Sequence, residues 1–310
     1  MVRVLVTGGR GLVGQAIKEQ VGTDQNYHFT HSQEADLSDY DSCYQLFTQY
    51  QPSQVIHLAA NVGGLFKNMK QKVEMLEKNL LINYHVVKCC HLFGVTRLVG
   101  CLSTCIFPDQ TTYPIKETML HQGPPHHSND AYAYAKRMLE IQCAAYREQY
   151  GSNFMCVIPT NIYGPYDNFS LTESHVIPGL IHRCYLAKQA GQDFIVSGTG
   201  RPLRQFIHSQ DLARLIVWLL DHTDINESLI LSSDPEDEIS IKEIATLIAQ
   251  EFNYSHRVRY DTSKSDGQYR KTADNGRIRK LYGKLNLIPI STGIKQTVSW
   301  FRENYDQCRK

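Results

Sequence analysis

The chain has 310 residues, of which 42% are hydrophobic, and these values describe a globular protein with a sizeable core. With 32 Lys and Arg against 31 Asp and Glu, the formal charge of +1 offers no broad field to nucleic acid or to an anionic membrane, so we expect neither as a partner. No apolar run approaches the roughly 20 residues of a membrane span and no signal-peptide pattern begins the chain, so we expect a cytoplasmic protein.

Strand-like and helix-like segments alternate along the first half of the chain. Apolar stretches predict strands at residues 2–6, 27–30, 54–58, 96–101 and 153–158, and periodic stretches predict helices at 11–21, 39–50, 65–92 and 131–150. The strands are continuously apolar, which is typical of a parallel sheet covered on both faces. We therefore predict an α/β fold, a doubly wound parallel sheet of the Rossmann type, with a smaller α/β substrate-binding domain.

The second half is less regular and contains more turns with Pro and Gly. We expect helices at residues 175–188, 210–220, 241–252 and 292–305, and short strands at 194–196 and 204–207. Parallel sheets bind ligands at the carboxyl ends of their strands, which such a second unit covers. We assign residues 1–160 with 204–232 to a dinucleotide-binding domain, and residues 161–203 with 233–310 to a substrate-binding domain.

A glycine motif follows the first predicted strand and opens the first predicted helix. Gly8, Gly11 and Gly14 form the pattern G-x-x-G-x-x-G. Glycines permit a tight turn and a close approach to a pyrophosphate, whose charge then meets the helix N-terminus. The alternative is a glycine-rich turn without a ligand, but the flanking strand and helix favour a dinucleotide site. We assign the whole loop to cofactor binding: Gly8, Gly9, Arg10, Gly11, Leu12, Val13 and Gly14.

The choice between NAD and NADP depends on the end of the second strand. NAD sites usually have an acidic residue there for the ribose 2′-OH, whereas the sequence Phe-Thr-His-Ser-Gln contains none. Arg10 is placed to meet a 2′-phosphate, so we predict NADP; the alternative for Arg10 is a solvated loop cation. Asp36 and Leu37 would border the adenine, and Ala59 and Ala60 the ribose, unless the two alanines serve packing alone.

A Tyr-x-x-x-Lys pair can supply a proton donor, because residues four apart share one helix face. The ammonium stabilises the tyrosinate and lowers the tyrosine pKa from about 10. Three pairs have this spacing: Tyr84/Lys88, Tyr132/Lys136 and Tyr260/Lys264. Tyr132 begins a predicted helix after the strand that ends beside Ser103, whose hydroxyl would bind the same carbonyl oxygen. We predict Tyr132, Lys136 and Ser103 as catalytic; the alternative for Tyr132 is an ordinary aromatic residue at a helix start.

In this order, the glycine loop, Ser103 and the Tyr132/Lys136 pair resemble the extended short-chain dehydrogenase/reductase family. Five segments narrow the resemblance to its GDP-L-fucose synthases: 101–108 (CLSTCIFP), 159–165 (PTNIYGP), 167–169 (DNF), 174–178 (SHVIP) and 264–268 (KSDGQ). The resemblance implies 3,5-epimerisation of GDP-4-keto-6-deoxy-D-mannose, followed by reduction at C4 with NADPH. Open alternatives are a related nucleotide-sugar 4-epimerase or 4-keto reductase, and a non-catalytic NADP-binding redox sensor.

The resemblance also gives a task to one of the nine cysteines, which are scattered without a Cys-x-x-Cys pair. That scatter argues against a disulfide framework and a zinc site, so we expect reduced thiols and no metal. The C3 and C5 protons of a 4-keto sugar are acidic, and inversion requires a base and an acid on opposite faces. The resemblance implies Cys105 as the base and His175 as the acid; without it, Cys105 is packing and His175 a helix cap.

The resemblance implies further contacts along the chain. Cofactor contacts come from Cys101, Leu102, Ser103, Thr104, Lys136, Pro159, Thr160, Asn161, Ile162 and His175. Substrate contacts come from Arg183, Ser197, Arg204 and Asp266. Ser197 departs from the family pattern, which usually has Trp there, so a stacking contact with the substrate is lost. Family members commonly dimerise through a four-helix bundle, and we expect a homodimer built from the helices at 65–92 and 131–150.

Overall fold

The computed structural model describes residues 3–264, 266 and 268–310. Val2, in the first predicted strand, and Ser265 and Gly267, in the segment 264–268, lie outside the described residues. The first half contains β1 (Val4–Thr7), α1 (Leu12–Val21), β2 (Tyr27–Phe29), α2 (Tyr40–Tyr50), β3 (Gln54–His57), α3 (Leu65–Lys70), α4 (Lys72–Leu92), β4 (Arg97–Cys101), α5 (Asp130–Tyr150), β5 (Phe154–Pro159) and β6 (Asn161–Tyr163).

The predicted helix at 65–92 is wrong in one respect, because it is two helices that meet at Gln71. Gln71 has a non-helical backbone, with φ −117° and ψ 45°. The Asn68 side chain donates to the Gly63 and Gly64 carbonyls, and the Gly64 N–H donates to the Glu173 carbonyl at 2.9 Å. These contacts hold the start of α3 against a distant loop, and the helix ends where the Gln71 backbone departs from helical geometry.

The second half contains α6 (Val176–Ala190), β7 (Phe194–Ser197), β8 (Leu203–Arg204), β9 (Phe206–His208), α7 (Ser209–Asp221), β10 (Leu229–Leu231), β11 (Ile239–Ser240), α8 (Ile241–Glu251), β12 (Val258–Asp261), α9 (Gly276–Tyr282) and α10 (Ile290–Glu303). The predicted strand at 204–207 is interrupted at Gln205. Its buried side chain donates to the Ser233 and Asp234 carbonyls, which turns the backbone between β8 and β9.

One six-stranded parallel sheet forms the centre of the molecule, in the order β2-β1-β3-β4-β5-β10. Successive residues of its strands face opposite sides. Leu5 belongs to a hydrophobic cluster under α2, α4 and α5, whereas Val4 and Val6 belong to a second cluster under α1 and α7. Helices therefore cover both faces, which confirms the predicted doubly wound α/β fold.

A third hydrophobic cluster joins β7, α6, α8 and α10. Phe194, Ile248 and Phe301 are fully buried in it. The domain limits given above remain a prediction, and α9 packs against the sheet through Ile278, in the second cluster. Among the described helices, none has the length and apolar character that crossing a bilayer requires.

The sheet brings four residues to one edge. Thr7, His57, Cys101 and Pro159 end β1, β3, β4 and β5, and parallel strands place these carboxyl ends side by side. β2 lies on one side of β1, and β3 lies on the other. The direction in which successive strands are added therefore reverses between β1 and β3. Such a switch point is where open parallel sheets bind ligands.

Arg97 is the first residue of β4, at the amino ends of the parallel strands. It is fully buried and holds the end of α7. Its Nη2 donates to the Leu219 carbonyl at 2.8 Å and to the His222 carbonyl at 3.1 Å. We predict that Arg97→Met lowers the free energy of unfolding by about 2–4 kcal/mol, because these helix-end carbonyls lose their buried donor. Arg97→Lys, which keeps the charge, is expected to lose less. Urea unfolding measures both, and equal midpoints for wild type and Arg97→Met would contradict this role.

Candidate active site

The glycine loop joins β1 to α1 and has no room for a side chain at three positions: Gly8, Gly9 and Gly14. Gly8 has φ +73°, and a Cβ there would lie 2.9 Å from the Ala59 backbone nitrogen. A Cβ on Gly14 would lie 2.6 Å from the Gly8 carbonyl oxygen. Gly11 caps α1 without a side-chain hydrogen bond, so the first N–H groups of the helix stay available to a ligand. The loop is a cradle that fits a pyrophosphate.

Arg10 and the end of β2 lie against this loop. The Gly9 N–H donates to the Thr30 carbonyl at 2.8 Å, and Arg10 Nη1 donates to Gln33 Oε1 at 2.6 Å. Glu34, the first acid after β2, is occupied by two side-chain hydrogen bonds of its own. The exposed Arg10 guanidinium therefore provides positive charge beside the glycine loop, near the end of β2.

The remaining residues predicted for the cofactor loop region differ in burial. Two have side chains in the hydrophobic core: Val13 and Leu37. Three are half-buried beside the loop: Leu12, Ala59 and Ala60. Asp36 is exposed, and hydrogen bonds from Ser38 lower the pKa of its carboxyl. The two core residues can thus meet a cofactor only through their backbone.

Tyr132 and Lys136 lie one turn apart in α5. Lys136 is 2% exposed, and its Nζ donates to the Cys101 carbonyl at 2.8 Å, which ties α5 to the carboxyl end of β4. Nζ lies 5.9 Å from the centre of the Tyr132 ring. The other two tyrosines have different settings, because Tyr84 is exposed on α4 and Tyr260 lies in β12 rather than in a helix. Of the three pairs, Tyr132/Lys136 is therefore the one that contacts the end of a central strand.

The pKa of Tyr132 differs in direction from the one that the sequence predicts. Burial raises the pKa of Tyr132 well above its ordinary value, and negative charge on Cys105 or Cys101 raises it further. Burial also lowers the pKa of Lys136. The prediction that the lysine lowers the tyrosine pKa is wrong here. Burial removes water from the Tyr132 phenol, and this outweighs the charge of the Lys136 ammonium, which is hydrogen-bonded to the Cys101 carbonyl. Tyr132 keeps its proton near neutral pH, the form that a proton donor requires.

A short turn directly after β4 carries the predicted serine and thiol. Ser103 Oγ accepts from the Cys105 N–H at 3.4 Å, at the start of the turn Thr104–Ile106. Arg137, in α5, donates from Nε to the Ile106 carbonyl at 2.5 Å, so α5 holds this turn. Three residues predicted to contact the cofactor are buried here: Cys101, Leu102 and Thr104.

Cys105 lies near a lysine that the sequence analysis missed. Burial raises the pKa of Cys105, whereas the charge of Lys271, a hydrogen bond with Ser103 and the charge of Lys136 lower it. Burial lowers the pKa of Lys271 in turn. Lys271 lies three residues beyond the segment 264–268 and belongs to no motif. A hydrogen bond from the Ile115 N–H to the carbonyl of the next residue, Thr272, brings it to the site, and local sequence contains no sign of that contact.

We predict that Lys271→Met makes Cys105 a weaker acid. The Lys271 ammonium favours the thiolate, so its removal shifts thiolate formation to higher pH. Alkylation of the Cys105 peptide, followed by mass spectrometry across a pH series, is expected to be severalfold slower in the variant at mildly alkaline pH. Lys280→Met, at an exposed position, provides the matched control. An unchanged alkylation profile in Lys271→Met would mean that the ammonium does not act on the thiol.

His175 is the residue before α6, but its side chain makes no capping hydrogen bond. It is exposed and lies near Asp167, which is 4% exposed. Burial raises the pKa of the Asp167 carboxyl, and the charge of His175 opposes this rise. The hydrogen bonds of the described residues include none between His175 and Tyr132 or Cys105. The structure thus places a buried carboxyl group near the histidine, a proximity that the sequence analysis did not predict.

The segment after β5 continues the same edge of the sheet. Pro159 ends β5 next to β4, and the Thr160 N–H donates to the Leu231 carbonyl at 3.2 Å. The Asn161 side chain donates to the Gln205 carbonyl at 2.8 Å. The Thr160 hydroxyl is buried without a hydrogen-bond partner in the described part of the chain, which leaves a polar group for a ligand. Ile162 is half-buried and packs against the second cluster.

Two of the predicted substrate residues are half-buried arginines whose pKa is lowered by burial. Arg183, on α6, has a buried Nε without a partner among the described residues, and it lines a cleft of about 570 Å³. Exposed Leu171 and Ile195 also line this cleft. Arg204 donates from Nη2 to the Gln268 carbonyl at 2.7 Å, which holds it beside the segment that leads to Lys271. The Asp193 carboxylate lines the cleft as well, so the guanidinium of Arg183 shares it with a negative charge.

The other two substrate residues lie at the loop after β7. Ser197 is exposed at the end of β7. The Asp266 carboxylate accepts from the Thr199 N–H and from the Thr199 hydroxyl, both at 2.7 Å, and it closes over Gly198. Both oxygens of Asp266 are therefore engaged by the loop. Across the described residues, no three His, Cys, Asp or Glu side chains are grouped to hold a metal ion.

Comparisons with known proteins identify the family of this chain. A model of the NAD dependent epimerase/dehydratase family matches residues 4–230. The GDP-L-fucose synthase of Dictyostelium discoideum is 52% identical over 311 residues, which cover 99% of this chain and 97% of that relative. This chain belongs to the GDP-L-fucose synthase family.

Solved structures extend the family comparison. A GDP-L-fucose synthetase from Naegleria fowleri bound to NADP is 46% identical, with a TM-score of 0.94 over 100% of this chain and 95% of that one. A GDP-6-OMe-4-keto-L-xylo-heptose reductase from C. jejuni is 25% identical, with a TM-score of 0.89 over 98% of both chains. The GDP-L-fucose synthase family thus shares its architecture with GDP-sugar reductases.

Proposed function

We propose that this protein converts GDP-4-keto-6-deoxy-D-mannose to GDP-L-fucose, by 3,5-epimerisation followed by NADPH-dependent reduction at C4. The observation that carries the proposal is the turn after β4, which presents Ser103 and Cys105 beside the Tyr132/Lys136 pair. A reductase needs the hydroxyls and the lysine. A thiol in the same place has a use when protons next to the carbonyl must also be removed.

Epimerisation requires that C3 and C5 each lose a proton from one face and gain one on the other. The Cys105 thiolate takes the proton, and the C–H electrons move to the carbonyl oxygen to give an enolate. Hydroxyl groups of Ser103 and Thr104 stabilise that negative oxygen. His175 then donates a proton to the opposite face of the carbon. Both groups exchange protons with water, which resets them for the second centre.

Reduction completes the reaction at C4. NADPH, held on the glycine loop, supplies a hydride to this carbon. Tyr132 donates its phenolic proton to the C4 oxygen, and the buried Lys136 ammonium stabilises the resulting tyrosinate. Lys136 also holds the ribose next to the nicotinamide. Arg10 favours NADPH over NADH because its free guanidinium donors meet the 2′-phosphate.

Sugar-nucleotide binding falls to the second unit. We propose the division into residues 1–160 with 204–232 for the cofactor and 161–203 with 233–310 for the substrate. Arg183 and Arg204 would meet the GDP diphosphate or the sugar, and Asp266 would hold the loop that borders the nucleotide. Ser197 makes a smaller contact than the usual Trp, so it weakens stacking in this pocket.

The test uses the purified protein with GDP-4-keto-6-deoxy-D-mannose and equal concentrations of NADPH or NADH. We expect faster oxidation of NADPH and GDP-L-fucose as the product identified by NMR. A product with unchanged configuration at C3 and C5 would instead identify a 4-keto reductase. The structural likeness to a heptose reductase is the observation that favours this alternative. Tight NADP binding without turnover would favour a redox sensor.

We also propose a homodimer in which α4 and α5 pack on the same helices of a second copy. Exposed apolar side chains line the two neighbouring helices: Val73, Leu81, Tyr84 and Leu92 on α4, and Tyr134, Met138, Ile141 and Tyr150 on α5. A four-helix bundle would remove this surface from water. Light scattering is expected to give the mass of two chains for wild type and one chain for Leu81→Lys with Ile141→Lys. A monomeric wild type would contradict the dimer.

A cytoplasmic location fits the same mechanism. All nine cysteines lie in the described part of the chain, and none is paired with another. The proposed base is the free thiol of Cys105, which requires a reducing compartment to remain active. We therefore propose that the protein works in the cytoplasm.

A further inference from the structure

A buried polar chain runs beneath the site, from β1 through β3 and α4 to α5. Thr7 is the last residue before the glycine loop, and its Oγ1 lies 2.8 Å from Nδ1 of His57, the last residue of β3. His57 Nε2 lies 3.1 Å from Asn83 Oδ1, and Asn83 Nδ2 donates to the Ala135 carbonyl at 3.2 Å. None of the four residues is more than 2% exposed.

The direction of each hydrogen bond in this chain is determined. Thr7 Oγ1 accepts from the backbone N–H groups of the two residues after His57, both at 3.2 Å, so its own proton goes to His57 Nδ1. Burial and then the charge of Lys136 lower the pKa of His57 to about 3. The neutral ring therefore carries its proton on Nε2 and donates it to Asn83 Oδ1. Each side-chain oxygen and nitrogen of this hydrogen-bond chain has at least one partner, which favours a single arrangement of the four residues.

We propose that the chain Thr7–His57–Asn83–Ala135 is a positioning element for the reduction, and this proposal rests on the function given above. Ala135 immediately precedes Lys136, and Thr7 immediately precedes the glycine loop. The chain therefore fixes the distance between the surface that binds the cofactor and the groups that act at C4. His57 and Asn83 act through these neighbours and do not touch the substrate.

A second contact from α4 supports this role. Asn79, one turn before Asn83, accepts from the Asn61 N–H at 2.9 Å and donates to the Asn61 carbonyl at 3.0 Å. Asn61 belongs to the segment that follows β3 at the switch point. The same face of α4 thus holds both the last residue of β3 and the backbone just beyond it.

Several titratable groups surround the Tyr132/Lys136 pair and contribute to its pH dependence. Those that act on the pair directly come from β3, β4, the turn after β4 and β5: His57, Cys101, Cys105 and Cys156. Lys271, in the segment before α9, acts on Cys105. Asn83 is uncharged, so its replacement leaves all of these charges in place. A changed pH profile in an Asn83 variant therefore reports movement of Lys136 relative to Tyr132.

The test is Asn83→Leu, which removes both amide hydrogen bonds at similar side-chain volume. We expect kcat for NADPH-dependent reduction to fall by roughly tenfold and KM for NADPH to rise severalfold, since small misplacements are costly in catalysis. The alkaline limb of the kcat profile is expected to move to higher pH, because Tyr132 loses stabilisation of its anion. His57→Gln, which retains an acceptor and a donor, is expected to keep most of the activity.

Val86→Ala is the matched control, because Val86 is fully buried on the same helix but lies outside the polar chain. It should lower Tm without moving the alkaline limb or KM. The same kinetic changes in Val86→Ala, or wild-type kinetics in Asn83→Leu, would overturn the positioning role. If Asn83→Leu does not fold, Asn83→Ser removes the contact with the Ala135 carbonyl and is judged by the same criteria.

A titration of NADPH fluorescence without the sugar separates this proposal from the proposed function. The dissociation constant for NADPH is expected to rise severalfold in Asn83→Leu, and an unchanged value would overturn the positioning role. Wild-type protein that binds NADPH but reduces no 4-keto sugar would refute the proposed function alone. The two failures are therefore distinguishable.

Discussion

Replacing Tyr132 with Phe is expected to slow NADPH oxidation by about 10²–10⁴-fold, while solvent deuterium still enters C3 and C5 of the keto sugar. The phenolic proton is needed only when the C4 oxygen becomes an alkoxide. Enolisation at C3 and C5 uses Cys105 and His175, which the substitution leaves in place. NADPH absorbance and NMR of the sugar in D₂O measure the two steps separately.

Tyr44→Phe, at an exposed position on α2, is the control for the Tyr132 experiment and should oxidise NADPH at the wild-type rate. The folded fraction of each variant is compared by circular dichroism, because Tyr132 packs against the first hydrophobic cluster. An equal loss of oxidation and of deuterium entry in Tyr132→Phe would refute the division of labour between the tyrosine and the thiol.

Replacing Cys105 with Ser is expected to slow deuterium entry at C3 and C5 by about 10²–10⁴-fold, because a serine hydroxyl forms almost no anion near neutral pH. Formation of GDP-L-fucose falls with it. In the wild type, deuterium entry should rise with pH, since the thiolate is the active form and burial raises the pKa of Cys105. NMR in D₂O across a pH series records both effects.

Cys308→Ser provides the thiol control, because Cys308 is half-buried near the end of the chain and its Sγ contacts the Tyr305 carbonyl. It is expected to keep the wild-type pH profile. If deuterium entered the sugar at the wild-type rate with Cys105→Ser, another group would have to be the base, whatever the role of His175.

Local sequence predicted most of the fold because the helices have a periodic apolar pattern and the buried strands are short continuous apolar runs. The continuous apolar strands indicated a parallel sheet, and the first helix begins where Gly11 precedes it. The break at Gln71 was missed because contacts of α3 with a loop more than 100 residues later produce it. The interruption at Gln205 has the same kind of cause, a side chain drawn to carbonyls of a distant segment.

The candidate site also contains residues that local sequence predicts and residues that it does not. Tyr132/Lys136 and the turn with Cys105 were predictable, since helical spacing and the end of a strand are local features. Lys271 and the His57–Asn83 contact were not, because they depend on packing between segments far apart in sequence. The direction of the Tyr132 pKa shift was also beyond sequence, since spacing gives a neighbouring charge but not the loss of water on burial.

A single reaction in D₂O tests the central claim most directly. The protein is mixed with GDP-4-keto-6-deoxy-D-mannose and unlabelled NADPH, and the product is examined by NMR. One site that epimerises and then reduces predicts GDP-L-fucose with deuterium at C3 and C5 and with protium from NADPH at C4. A 6-deoxy sugar that keeps protium and the original configuration at C3 and C5 would contradict that account.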